Sequence, residues 1–207
     1  MKKLILLFAF IFPIIVFAQE EGQQTVVKKP TKYEEFVSKT GTILKYEDIK
    51  LPKISVTMSS SIHTIIRKLM GNPNRYFYGL TKNNEYLLSL GHGSAMIEYS
   101  DLVEINKAIK KIFSEEKSDK ETKPYNLVNE FVTDDGFVIG YTMQKKYGSV
   151  AVERFIELER DGGRILPDDF DKVIKAFKDA QDKIEDLMAA EREGDSNISS
   201  KIERKDE

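Results

Sequence analysis

The stretch GSAMIEYSDLVEINKAIKKI, Gly93–Ile112, is the most informative about architecture in this chain. Ala95 to Tyr99 reads as a short strand. It runs into a helix whose apolar stripe is Leu102, Ile105, Ala108, Ile109 and Ile112, with Lys107, Lys110 and Lys111 on the polar side. Asp101, with Glu104 three residues on, has the spacing of a capping box, and Ser100 is the alternative cap. A looser echo, Gly163 to Ala180, closes the second half. Setting Asp101 against Asp169 aligns Leu102 with Phe170, Ile105 with Val173 and Ile109 with Phe177. Lys107, Ala108 and Lys110 then match Lys175, Ala176 and Lys178. The match suggests an old duplication of a strands-then-helix unit; chance alignment of two Lys-rich amphipathic helices is the competing explanation.

Outward from this stretch the chain is rich in strand signals. Upstream, Gly41 to Tyr46 is β-rich, and Ile54, Val56 and Met58 alternate with polar residues after Pro52, which suits a strand start or an edge. Residues 59–70 are ambiguous. Ile62, Ile65, Ile66, Leu69 and Met70 have helical spacing, yet the run is mostly β-branched. A hairpin turning at Gly71–Asn74 into Arg75–Tyr78 uses every residue and is favoured. Asn83-Asn84 marks a second hairpin, returning through Tyr86–Leu90 to the turn Gly91-His-Gly93. Downstream, strands are expected at Leu127–Val132 and Phe137–Met143 around the turn Asp134-Asp-Gly136, and at Ser149–Glu159 after Tyr147-Gly148. A final helix carries Phe170, Val173, Ile174, Phe177, Ile184, Leu187 and Met188 on one face, with Asp168, Asp169 and Asp171 at its start. The expectation is one α+β domain, residues 33–190, with antiparallel strands in two related strands-then-helix halves, 33–113 and 125–190. The charged run 114–124 is the expected linker and 191–207 an expected charged, disordered tail.

The N-terminus has the three parts of a secretory signal: Lys2 and Lys3, an apolar run from Leu4 to Phe17, and Val16-Phe17-Ala18 before Gln19. Cleavage is expected between Ala18 and Gln19, leaving a flexible leader to residue 32; an uncleaved anchor is the alternative. With no cysteine in the chain, disulfides, thiolate catalysis, Cys-based zinc sites and a lipid-modified cysteine are excluded. The signal carries two lysines and no acid, so its removal takes the formal net charge from −2 to −4. That mild acidity offers no electrostatic footprint for nucleic acid. No later segment is apolar enough to span a bilayer. The signal ending Val-Phe-Ala-Gln, the Lys-rich body and the paired strands-then-helix pattern resemble uncharacterised secreted proteins of Bacteroidetes bacteria. The resemblance implies an exported protein, periplasmic or secreted, and brings no activity and no site residue with it.

Chemistry-bearing motifs are sparse. His92, between two glycines, has the exposure of a base or a ligand, but no second histidine stands near it and H-E-x-x-H is absent. Ser94 lacks a G-x-S-x-G elbow, Gly91-x-Gly93 lacks the rest of a dinucleotide loop, and the aspartates lack EF-hand spacing. No cofactor or metal is indicated. Arg75-Tyr-Phe-Tyr78 has binding potential: on a strand, Tyr76 and Tyr78 share one face, where exposed rings suit a peptide or sugar. The candidate ligand-binding residues are thus Arg75, Tyr76, Tyr78 and His92. The competing readings are a plain loop histidine and tyrosines packed beneath a helix. The function expected is a non-enzymatic binding or interaction module of the cell envelope, with a protein, peptide or glycan partner. The alternative is a carboxylate-dependent hydrolase acting on an envelope or extracellular substrate, with His92 as an optional further group.

Overall fold

The computed structural model describes residues 29–39, 41, 43–82, 93–159 and 163–203, with side chains to Gly194. The signal segment with Ala18 and Gln19, the Asn83-Asn84 turn, the strand at Tyr86–Leu90 and His92 lie outside the described residues. In order, the elements are α1 (Lys32–Val37), β1 (Tyr46–Lys50), β2 (Ile54–Ser55), β3 (Ser61–Leu69), β4 (Arg75–Thr81), β5 (Ser94–Glu98) and α2 (Tyr99–Glu121). The second half is β6 (Asn126–Val132), β7 (Val138–Lys146), β8 (Ser149–Glu157), β9 (Arg164–Ile165) and α3 (Phe170–Glu203). All strand pairs are antiparallel. β1-β3-β4-β5 form one sheet, with β2 also on β3, and β6-β7-β8-β9 form a second. The fold is α+β, with a helix closing each set of strands. The two halves have separate sheets.

One hydrophobic cluster joins both halves. Ile66, Tyr78, Leu80 and Ile97 come from the first sheet, and Phe137, Ile139 and Ile156 from the second. Between them lie Leu102, Ile105 and Ile109 of α2 and Phe170, Val173, Phe177 and Ile184 of α3. The stripes aligned by sequence therefore face the same core. The helix starts are offset, since Asp101 lies inside α2 whereas Asp169 precedes α3. On the reverse face of the first sheet, Leu69, Phe77 and Met96 pack against Tyr33 of α1.

The ambiguous segment 59–70 is strand β3, and its turn is at Gly71–Asn74 as expected. β-Branched residues suit a pleated sheet whose two faces are both covered. The early strand lies at Tyr46–Lys50, beyond the β-rich run at 41–46, where Ile43 is exposed. The alternation expected through Met58 stops early: Ile54 and Val56 are buried and Met58 is fully exposed.

The first half's edge is built from two pieces laid end to end. β1 pairs with Leu69–Ile65 and β2 with Ile62–Ser61, both along the same side of β3. Leu51-Pro-Lys53 separates them. Proline has no N–H to give the ladder, so the edge breaks there. The Leu51 amide still donates to the Thr64 carbonyl (3.0 Å), and the Thr64 hydroxyl donates to the Pro52 carbonyl (2.8 Å).

Four assignments differ from the sequence reading, and charged side chains account for them. The run 114–124 is not a linker, because α2 continues to Glu121. Its carboxylates dock it onto the second sheet: Glu115 accepts from Asn129 (3.1 Å), Glu116 takes a two-pronged bond from Arg154 (2.7 and 3.1 Å), and Asp119 accepts from Tyr141 (2.6 Å). Burial and the neighbouring Asp119 push the Tyr141 hydroxyl up to about 12. Asp101 is not the cap of α2; Glu98 holds that place and makes no side-chain cap bond. Instead Asp101 accepts from the Lys32 ammonium (2.5 Å), while the Lys32 backbone N–H donates to both oxygens of Asp135 (3.1 and 3.0 Å). Thr31 caps α1 in a capping box with Glu34. Thr31 and Lys32 therefore belong to the fold rather than to the leader, and they clamp α2 to the β6–β7 turn. Finally, α3 runs past residue 190 to Glu203, held by Glu191.

Candidate functional site

Of the residues chosen from sequence, Arg75 does not share a site with Tyr76 and Tyr78. Tyr76 and Tyr78 share a face, as the strand period requires, but that face is turned inward; they are 2% and 0% exposed. The expected open tyrosine face is corrected to the competing reading, rings packed under a helix. The Tyr76 hydroxyl is bonded to Glu191 of α3, and Tyr78 meets Phe177 edge-on at 5.2 Å between ring centres. Arg75, on the opposite face, is paired with Glu98 (Nε–Oε1 3.1 Å) and lies over Phe36 and Phe77. It is a structural cation, not a companion of the two tyrosines. His92 lies outside the described residues. Among the described residues no group of three or more His, Cys, Asp or Glu is placed to hold a metal ion.

A different site forms where the edge strand breaks. A cavity of about 270 Å³ lies between the Leu51–Ile54 segment and the first turns of α3. Its apolar lining comes from Leu51, Pro52 and Ile54 on one side and Ala176 on the other. Thr64 and Tyr78 contribute from within the sheet, and Lys53, Lys172, Lys175 and Asp179 also line it. The sequence accounts for this gap. Pro52 interrupts the ladder, and Ala176 is the small residue of α3 facing the interruption, so neither side supplies a large group to fill the space. For comparison, an apolar cavity of about 150 Å³ is enough to take up a benzene molecule.

Tyr78 gives the cavity its chemistry. The Tyr78 hydroxyl is buried and makes no hydrogen bond to the protein. Thr64 lies beside it but outside hydrogen-bond geometry, and its own hydroxyl donates to the Pro52 carbonyl. Burial raises the pKa of the Tyr78 phenol, and the Asp179 carboxylate adds to this while Thr64 opposes it. The net direction is upward, so Tyr78 is a neutral O–H donor. Tyr78 lines the cavity together with the two polar residues that influence its hydroxyl, Thr64 and Asp179. A buried donor without an acceptor costs about 1–3 kcal/mol, and nearly all such groups in folded proteins have a partner. An acceptor entering this cavity relieves that cost.

The charges around the cavity are mostly positive. Lys175 pairs with Asp179 on α3 (2.5 Å) and Lys172 with Asp169 just before it (3.2 Å), both pairs exposed. Lys53 is exposed and has no acidic partner among the described residues. Of these groups, sequence reasoning had named only Tyr78 as a binding residue, and for an exposed role. The one local signal was Pro52 inside a strand-like run. Comparison with protein-family models, with curated proteins and with solved structures found no match.

Proposed function

We propose that this protein is a non-enzymatic binding module of the cell envelope that holds a small molecule in the cavity between the broken edge strand and α3. The observation that carries this reading is the buried, unpartnered Tyr78 hydroxyl at a cavity walled by Leu51, Pro52, Ile54 and Ala176. Apolar walls with a few placed polar groups are the common make-up of small-molecule sites. Export rests on the signal-like N-terminus. A peptide or glycan stacked on an open tyrosine face loses its basis, because both rings are inside. The hydrolase alternative gains no support from the described carboxylates. Asp101 and Asp135 approach each other, but Lys32 bridges them as part of the α1 clamp.

The test is a thermal-shift screen of lipophilic acids, alcohols, glycans, wall fragments and metals against the parent chain and Ala176→Phe, which fills the cavity. A ligand present at about a hundred times its Kd adds about 2.7 kcal/mol of stability. At about 2–4 °C per kcal/mol for a chain of this size, Tm rises by roughly 5–10 °C. The expected result is a small ligand that raises the parent's Tm and leaves Ala176→Phe unmoved. Shifts shared equally by both proteins, or produced only by large glycans, would count against the cavity as the site.

A further inference from the structure

We propose that the ligand is a small anionic amphiphile, a carboxylic acid with an apolar body of roughly eight to ten carbons in the Leu51–Ile54–Ala176 cavity and its carboxylate among Tyr78 and the lysines. This deepens the binding reading above and rests on it. Two features of the cavity define the head group. The Tyr78 hydroxyl is a donor with no acceptor, so the head must accept a hydrogen bond. Lys53, Lys172 and Lys175 line the same cavity; Lys172 is paired with Asp169 and Lys175 with Asp179, so Lys53, with no acidic partner among the described residues, is the cation whose charge favours an anion. An ionised carboxylate is acceptor-only and negative, and it meets both demands. An alcohol meets the first alone. An amine sets a second unpaired ammonium beside that of Lys53 and brings no acceptor.

The tail follows from the walls. Leu51, Pro52, Ile54 and Ala176 offer no charged group, and the volume of about 270 Å³ is under twice the roughly 150 Å³ that holds benzene. A medium-length chain or one ring with a short chain fits; a long lipid tail exceeds it.

The experiment measures the affinity of octanoate, 1-octanol and octylamine for the purified full chain by titration calorimetry, below their aggregation concentrations. The same titrations are run on Lys53→Glu and Ala176→Phe. Octanoate is expected to bind about tenfold or more tightly than octanol, and octylamine not at all. Lys53→Glu, a substitution at an exposed position on the rim, is expected to weaken octanoate about tenfold and leave octanol unchanged. Ala176→Phe is expected to abolish binding of both. Octanol binding as tightly as octanoate, with neither affected by Lys53→Glu, overturns the anionic head while leaving the cavity as a binding site. Octanoate binding undiminished in Ala176→Phe overturns the placement in the cavity. Absence of octanoate binding to the parent overturns the ligand class, and the broader screen then decides separately whether the cavity binds anything.

Discussion

Phe177→Ala is expected to destabilise the protein by about 3–5 kcal/mol, the range for removing a fully buried aromatic side chain. Phe177 is 0% exposed and stands where the two halves meet. Its ring is edge-on to Tyr78 of the first sheet at 5.2 Å and tilted against Phe137 of the second at 5.4 Å. The loss therefore combines apolar transfer, a cavity between two sheets that cannot both collapse into it, and two aromatic contacts worth about 0.5–1.5 kcal/mol each. Against a total stability of about 5–15 kcal/mol this is severe. Urea unfolding is the measurement. A cost below about 1.5 kcal/mol would mean that the halves do not share the core described.

Glu191→Ala is expected to cost about 2–3 kcal/mol at neutral pH. One carboxylate near the far end of α3 accepts from Asn74 (3.0 Å), from the buried Tyr76 hydroxyl and from the Lys68 ammonium. Truncation leaves the Tyr76 hydroxyl without its acceptor inside the protein. The pH dependence follows from the direction of the Glu191 shift. Burial raises its pKa, but the bonds from Lys68, Tyr76 and Asn74 outweigh burial and hold it below the ordinary value of 4.5. A depressed carboxylate contributes stability that is fully present above the unfolded value and is lost as pH falls through the folded one. The gap between the parent and Glu191→Gln is therefore expected to be constant from pH 7 to about 5.5 and to shrink below pH 4.5. Urea midpoints across that range check it. A gap that stays constant down to pH 3 would show that Glu191 does not titrate with folding.

The sequence was most legible where one residue sets a local rule. The Gly71–Asn74 turn identified the β3–β4 hairpin, and the i, i+3, i+4 stripes of α2 and α3 named the core-facing residues Leu102, Ile105, Phe170 and Phe177. Period two correctly put Tyr76 and Tyr78 on one face of β4, but it carries no information on which face is covered. That depended on α3 lying across the first sheet, a contact between segments about a hundred residues apart. The charged end of α2 read as a linker because apolar periodicity is the usual helix signal. Its docking relies on Glu115, Glu116 and Asp119 instead, and their partners Asn129, Arg154 and Tyr141 lie on strands of the other half. The cavity was illegible for the same reason. Pro52 announced a broken edge, but only the tertiary fold sets Ala176 and Lys175 opposite it and leaves Tyr78 without an acceptor.

The site stands or falls on that hydroxyl. The most direct measurement is the urea stability at pH 7 of Tyr78→Phe and of the parent, each unfolded, dialysed and refolded to remove any carried ligand. If the hydroxyl is an unmet donor, its removal keeps the ring packing and deletes a desolvation cost. The expected result is no loss and a gain of up to about 1–2 kcal/mol. A loss of about 1 kcal/mol or more would show that Tyr78 already has a partner within the protein, and that the cavity holds no donor for a ligand to satisfy.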